Sequence, residues 1–221
     1  VEWELLSGLA EVDQREVLAL THRRVYAGGE VVFHRDDPAD TVHLVAKGRF
    51  AARIVTALGE TALLNVFGPG QIFGEMALLD DSSRRSATVT ALEPGETRVL
   101  RKVEFDALRG RRPEVQQLLL SSLVDRVRRL SDLLVEALYL PADLRVLRRV
   151  HELAAVYGTA ESSTTIPLTQ EELAGLAGTS RATVNRVLRK ASRRGEVGLQ
   201  RGRTIVLDLG GLGASAHLGR S

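Results

Sequence analysis

The chain has 221 residues, 44% of them hydrophobic and 26% charged, with 30 Lys and Arg against 28 Asp and Glu; that is enough for one large or two small domains with cores of their own. It contains no Cys, which excludes disulfides, thiolate metal sites and Cys-held iron–sulfur clusters. No apolar run reaches about 18 residues, and the opening Val1-Glu2-Trp3-Glu4 lacks the basic-then-apolar layout of a signal peptide, so a cytoplasmic protein with no membrane partner is expected. Charge is unevenly spread: residues 1–141 hold 18 Lys and Arg against 21 Asp and Glu, and residues 142–221 hold 12 against 7. An acidic front and a basic back is the asymmetry expected when only the back meets nucleic acid.

Residues 11–24, with Val12, Val17, Leu18 and Leu20, read as a short helix. Short alternating or β-branched runs follow at Glu30–His34, Thr41–Val45, Arg49–Val55, Thr61–Phe67, Ser86–Leu92 and Thr97–Arg101. Turn signals separate them: Gly28-Gly29, Asp36-Asp37-Pro38, Lys47-Gly48, Leu58-Gly59, Gly68-Pro69-Gly70 and Pro94-Gly95. Strands of about five residues at about ten-residue spacing predict a compact antiparallel sandwich or roll. His34 and His43 fall on predicted strands without a third ligand at metal spacing, so no metal site is expected. Trp3 reads as a packing residue.

Within that roll, Gly70-Gln71-Ile72-Phe73-Gly74-Glu75-Met76-Ala77-Leu78 is followed by Arg85-Ser86-Ala87. Gly74 permits close backbone approach, and the next turn is expected to open a short helix whose dipole favours an anion. Arg85 offers a fork-shaped counter-ion for a phosphate, and Ser86 adds a hydroxyl. Glu75 would repel a phosphate and suits a sugar hydroxyl instead. The competing reading of the same residues is that Glu75 and Arg85 simply pair with each other across a loop.

Pro113-Glu114 is a helix start, and no Gly or Pro intervenes before Tyr139, which predicts a rod of about 39 Å. Leu120, Leu123, Val127, Leu130, Leu134 and Ala137 alternate spacings of three and four, the seam of a two-stranded coiled coil; a single amphipathic helix packed on its own domain would read similarly. Leu140-Pro141 ends the rod. Arg145–Tyr157 reads as a helix and Gly158–Pro167 as a polar loop. Thr169 with Glu172 forms a capping box for a helix through Leu173, Ala174, Leu176 and Ala177. Gly178 then turns the chain, and Ser180 caps a second helix, Arg181–Arg194. Ala174, Gly178, Val184 and Val187 occupy the small, turn and apolar positions of a helix-turn-helix. Arg181, Thr183, Asn185 and Arg186 open the second helix with side chains suited to base edges. Val197–Gln200 and Thr204–Leu207 flank Arg201-Gly202-Arg203, a hairpin with a basic tip that reads as a wing. Gly210–Ser221 is glycine-rich and is expected to fray.

Phe73-Gly74-Glu75-Met76-Ala77-Leu78 with Arg85-Ser86-Ala87-Thr88-Val89 resembles the phosphate-binding cassette of cyclic-nucleotide-binding domains, in particular that of the Crp/Fnr family of bacterial transcription regulators. Gly29-Glu30, Asp40, Gly48 and Phe67-Gly68-Pro69-Gly70 are similar to that family's roll, and Ser180-Arg181-Ala182-Thr183-Val184-Asn185-Arg186 to its recognition helix. The resemblance spans roughly residues 10–208. It implies an α+β fold with three parts: a cyclic-nucleotide β-roll over 1–112, a dimerisation helix and hinge over 113–140, and a winged helix-turn-helix over 141–221. It further implies that Arg85 and Ser86 hold a cyclic phosphate, that Glu75 holds the ribose 2′-hydroxyl, and that Gly74, Met76 and Ala77 line the same site. Ser131 would meet the adenine of cyclic AMP across the dimer, beside Leu130, which stands where the best-known type has a second hydroxyl. By the same resemblance Arg181 and Arg186 read guanines, while Gln170, Thr179 and Ser180 touch phosphates. Ala182 stands where many members carry a glutamate that reads cytosine. The implied partners are a palindromic DNA duplex, a second copy of the chain and RNA polymerase. Two alternatives stay open: a regulator of this kind that binds DNA without a nucleotide, and a cyclic-nucleotide module that controls a partner protein. No nucleophile–base pair or covalent cofactor site emerges, so no enzyme activity is expected.

Overall fold

A computed structural model describes residues 3, 6, 8, 10–56, 59, 61–78, 84–111, 113–158 and 163–217. The expected turn residue Leu58, loop residues 79–83 and the tail beyond His217 lie outside these. Two compact units make up the chain: Val1–Ile54 with Val66–Leu130, and Val55–Asn65 with Ser131–Ser221.

In chain order the protein runs α1 (Glu11–Leu20), β1 (His22–Tyr26), β2 (Val31–Phe33), β3 (Thr41–Lys47), β4 (Phe50–Val55), β5 (Thr61–Phe67), β6 (Ile72–Phe73), β7 (Thr88–Ala91) and β8 (Gly95–Arg101), with Val55 and the first part of β5 grouped with the second unit. Then come α2 (Lys102–Arg111) and α3 (Pro113–Tyr139). The strands form two four-stranded sheets, β1-β8-β3-β6 and β2-β7-β4-β5. β8 runs antiparallel to both β1 and β3, and β7 to both β2 and β4.

The central strand β3 shows why the roll has two cores. Successive side chains of a strand point to opposite faces. Val42 and Leu44 join Trp3, Leu6, Val17, Leu78, Leu100, Phe105 and Leu108 in one buried cluster, which α1 and α2 help to close. Val45, one step out of phase, joins Tyr26, Phe50, Phe67, Phe73 and Val89 in the other. His43 faces the second side, stacked on Phe73 at 4.9 Å and 8°, with its Nδ1 3.2 Å from Thr97 Oγ1. A strand buried on both faces loses simple alternation, which is why Thr41-Val42-His43-Leu44-Val45 reads as a continuous apolar run.

Three expectations for this unit change. The helix expected over 11–24 stops at Leu20: Thr21 turns extended, at ψ 146°, and residues 22–24 belong to β1, paired with β8. β6 and α2 were not foreseen, because two strand residues and a ten-residue helix with only Phe105 and Leu108 buried give almost no periodic signal. His34 lies just beyond β2 and is exposed, not on a strand.

The second unit contains α4 (Ala142–Tyr157), β9 (Thr164–Ile166), α5 (Gln170–Ala177), α6 (Arg181–Arg193), β10 (Val197–Gln200), β11 (Arg203–Val206) and α7 (Leu209–Ser215). Val146, Leu147, Val150, Leu153 and Ala154 of α4 form its buried stripe, with Leu173 and Ala174 of α5 and Val184, Val187, Leu188 and Ala191 of α6 also buried; the three helices pack pairwise. The predicted turn is present: the Thr169–Glu172 capping box has both of its hydrogen bonds, and Gly178 closes α5 in the left-handed region at φ +58°, where a side chain would be strained. Ser180 caps α6 by accepting from Thr183 N. The three-stranded sheet β10-β11-β9 shows that the expected loop 158–167 contains a strand, β9, which completes the wing. The C-terminal segment is likewise better ordered than its glycines imply. Asp208 caps α7 through Gly211 N at 2.8 Å, and Leu212 and Ala216 are fully buried, so residues 209–215 are helical rather than frayed.

Thr169→Ala removes one half of the capping box and should cost about 1 kcal/mol of stability, measured by urea unfolding. His43 supplies a second check. Burial, with the Arg85 and then the Arg24 charge, lowers its pKa to about 3, so the folded protein keeps it neutral while the unfolded chain protonates near pH 6.5. Acidification below that point should therefore erode stability by up to about 1.4 kcal/mol per pH unit from this residue. In His43→Gln the decline between about pH 6.5 and 4.5 should be shallower.

Candidate ligand pocket and nucleic-acid interface

After β6 the backbone passes through Gly74 at φ +80° into a single 3-10 turn, Glu75–Leu78, rather than the start of an α-helix. Ala77 N–H donates to Gly74 O at 3.1 Å. Ala77 is fully buried and Met76 is exposed. Arg85 arrives from the facing side, its backbone fixed by the Asp36–Pro38 turn: Arg85 N donates to Asp37 O at 3.0 Å and Asp36 N donates to Arg85 O at 2.8 Å. Ser86, next to it, is exposed.

The Arg85 guanidinium is buried to 5% exposure. Nη1 donates to Thr41 O at 2.7 Å and Nη2 to Thr41 Oγ1 at 2.6 Å, and the group lies 4.0 Å over the Phe33 ring. Its Nε is buried without a hydrogen-bond partner. Burial pulls the Arg85 pKa below its usual value, and the Asp40, Asp37 and Glu75 charges oppose that shift. A Cβ on Gly74 would sit 2.6 Å from Arg85 Nη1. Glycine is thus required here both for its φ and for the room the guanidinium occupies.

Glu75, at 4% exposure, does not pair with Arg85. Its Oε1 accepts from Arg126 Nη1 of α3 at 2.7 Å. The loop-spanning ion pair that competed with the ligand reading is therefore replaced by two separate arrangements: a carboxylate bridged to α3, and a guanidinium held by Thr41, Phe33 and Gly74. Sequence reasoning missed Arg126, Thr41 and Phe33. Nothing local in the sequence marks them.

Along α3, Leu120, Val127, Leu130 and Leu134 of the expected seam are each more than half exposed, as are Val135, Leu138 and Tyr139. Leu123 turns the other way and packs against the core around Trp3 and Phe105. Ser131, beside Leu130, is exposed.

In the second unit Gln170, Arg181, Asn185, Arg201 and Arg203 line one cleft between α5, the start of α6 and the wing. Gln170 and Asn185 hold each other, Asn185 Nδ2 donating to Gln170 Oε1 at 3.0 Å. Ser180 Oγ and Thr183 Oγ1 lie 3.1 Å apart, so both hydroxyls serve the α6 cap. Thr179 N donates to Ala174 O at 3.0 Å within the turn. Arg181 is exposed. Arg186 is drawn back to α4, where it forks onto Asp143. Arg145, read from sequence only as a helix residue, donates to Leu140 O at 2.8 Å and to Ala177 O and Gly178 O at 2.9 Å each. It satisfies carbonyls at the ends of both α3 and α5 that those helices leave unpaired.

Among the described residues no cluster of metal-ligating side chains occurs, and no helix is long and apolar enough to cross a membrane. A cyclic nucleotide-binding domain matches residues 23–112 and a Crp-like helix-turn-helix domain matches residues 144–215. The chain is 32% identical, over 81% of each sequence, to a CRP-like cAMP-activated global transcriptional regulator of Mycobacterium tuberculosis. It is 34% identical, over 92% of each, to the cyclic AMP receptor protein of Thermus thermophilus. The crystal structure of Thermus thermophilus catabolite activator protein superposes over 97% of this chain and 98% of its own, at TM-score 0.57 and 33% identity. The structure of FixK2 from Bradyrhizobium japonicum, at 20% identity and TM-score 0.73, shares the fold. With a nucleotide-type roll at the front and a capped helix-turn-helix with its wing at the back, the chain belongs to the Crp/Fnr family of DNA-binding transcription regulators and is not an enzyme.

Proposed function

We propose that the chain is a homodimeric, sequence-specific regulator of transcription whose DNA binding is controlled by cyclic AMP held in the roll of residues 1–112. The observation that carries this reading is the pairing of a buried Arg85 that retains an unused Nε donor with a buried Glu75 that is not its counter-ion. A cyclic phosphate offers Arg85 a charged acceptor in place of neutral ones, a contact roughly twice as strong, with Ser86 adding a hydroxyl. Glu75 takes the ribose 2′-hydroxyl. An ionised carboxylate has about four lone-pair sites, so it can accept from the sugar while keeping Arg126. Gly74, Met76 and Ala77 border the same turn. The names of the Mycobacterium tuberculosis and Thermus thermophilus relatives support cyclic AMP as the nucleotide.

The exposed apolar residues of α3 form the dimer seam, residues 113–140 serving as dimerisation helix and hinge. Across it Leu130 and Ser131 of each copy reach the partner's nucleotide base. Residues 141–221 read DNA: Arg181 and Arg186 take guanines, Thr183 and Asn185 approach base edges, Gln170, Thr179 and Ser180 meet phosphates, and Arg201 and Arg203 bring the wing tip to the backbone. A symmetric dimer with recognition helices about 34 Å apart matches a palindromic operator. The nucleotide acts through its differential affinity for the arrangement that sets this spacing. RNA polymerase is the partner through which a cytoplasmic regulator of this kind acts.

Calorimetry with cyclic AMP and cyclic GMP should give saturable heat with cyclic AMP and weaker or no heat with cyclic GMP. Arg85→Leu should abolish the nucleotide response while leaving a folded dimer; a wild-type response in that variant would place the phosphate elsewhere. Arg181→Ala should weaken binding to a selected operator by about 1–3 kcal/mol and relax the preference at one base pair per half-site, read by fluorescence anisotropy on single-substituted duplexes.

A further inference from the structure

On a helix meant to read DNA, a free guanidinium is the useful state, and Arg186 is not in it. Nη1 donates to Asp143 Oδ2 at 2.8 Å and Nη2 to Asp143 Oδ1 at 2.6 Å, a parallel fork from the recognition helix back to the first turn of α4. By contrast, Arg181 has no carboxylate partner among the described residues. The two Nη atoms that Asp143 occupies form the end-on edge with which arginine grips guanine O6 and N7. The same geometry that suits a carboxylate suits a guanine, so the two acceptors compete for one edge.

We propose that Asp143 is a positioning residue for base recognition: it holds the Arg186 guanidinium in reserve, and a guanine gains that contact only by displacing the carboxylate. The proposal rests on Arg186 being a base reader and deepens that reading. Both partners are accessible to water, Arg186 with 63% and Asp143 with 38% of its side chain exposed. The pair is therefore weak enough to open, and it tempers the Arg186 contact rather than forbidding it. The fork with Arg186 also keeps the Asp143 carboxyl below the ordinary carboxylate range, so the clamp is charged at neutral pH. A base pair without guanine offers Arg186 no such paired acceptors, so a site lacking the guanine gains little from removal of the clamp.

The test compares wild type, Asp143→Asn, Arg186→Ala and the double variant by anisotropy on a selected operator, and on the same duplex with the Arg186-dependent guanine replaced. Circular dichroism melts of each variant confirm folding, and Asp143→Ser replaces Asp143→Asn if the latter melts early. Asp143→Asn should tighten the guanine duplex about three- to fivefold, tighten the substituted duplex less, and change neither when Arg186 is already alanine. If Arg186→Ala leaves the guanine preference intact, Arg186 is not a base reader and the underlying reading fails. If Arg186→Ala erases the preference but Asp143→Asn weakens binding or leaves it unchanged, the reading stands and the clamp is overturned. A gain of equal size in the Arg186→Ala background would also overturn it, by assigning the effect to bulk charge.

Discussion

Burying a guanidinium costs several kcal/mol unless its donors and its charge are taken up, and the roll is built around one such group. Arg85 meets that cost with two acceptors on Thr41, the face of Phe33 and the absent side chain of Gly74. Three separate parts of the roll therefore converge on it: the end of β2, the start of β3 and the turn after β6. The carboxylate beside it is committed elsewhere, to Arg126. On the proposed reading, these two buried groups of opposite charge would meet a ligand that carries an anion at one end and a hydroxyl at the other. The Glu75–Arg126 bridge ties α3 to the turn after β6.

The second unit shows the same economy with arginines. Arg145 donates to Leu140 O at the end of α3 and to Ala177 O and Gly178 O at the end of α5, so one side chain holds both helix ends. Glu136, near the end of α3, is held by both Arg148 and Arg149 of α4. Glu196 anchors Arg194 and Ser215 together, which docks α7 beside the wing.

Much of this was legible in the sequence, and the reasons differ by element. The helix-turn-helix could be read almost to the residue, because the Thr169–Glu172 box, Gly178 and Ser180 are local chemistry with one structural meaning each. α3 was equally plain, since the twenty-six residues after Pro113 up to Tyr139, without a Gly or Pro, leave few alternatives. β1 was hidden because His22-Arg23-Arg24 has no buried face; its place comes from pairing with β8, seventy-odd residues away. α7 was hidden by its glycines, whose low propensity is overridden by the Asp208 cap and the burial of Leu212. In the pocket, Glu75 and Arg85 stood out as chemistry. Their partners Arg126, Thr41 and Phe33 did not, because each is supplied by the fold from a distant part of the chain. Asp143 was invisible for the same reason: an acid in a first helical turn has an ordinary explanation until its partner is seen.

The central claim is that a nucleotide in the roll governs DNA reading in the winged helix. It is tested most directly by measuring the affinity of the full chain for a palindromic operator, selected from random-sequence duplexes, with and without saturating cyclic AMP at one fixed salt concentration. Cyclic AMP should tighten specific binding and leave binding to a scrambled duplex nearly unchanged. Equal affinity for the palindrome in both conditions would contradict the claim and leave a DNA reader that needs no nucleotide.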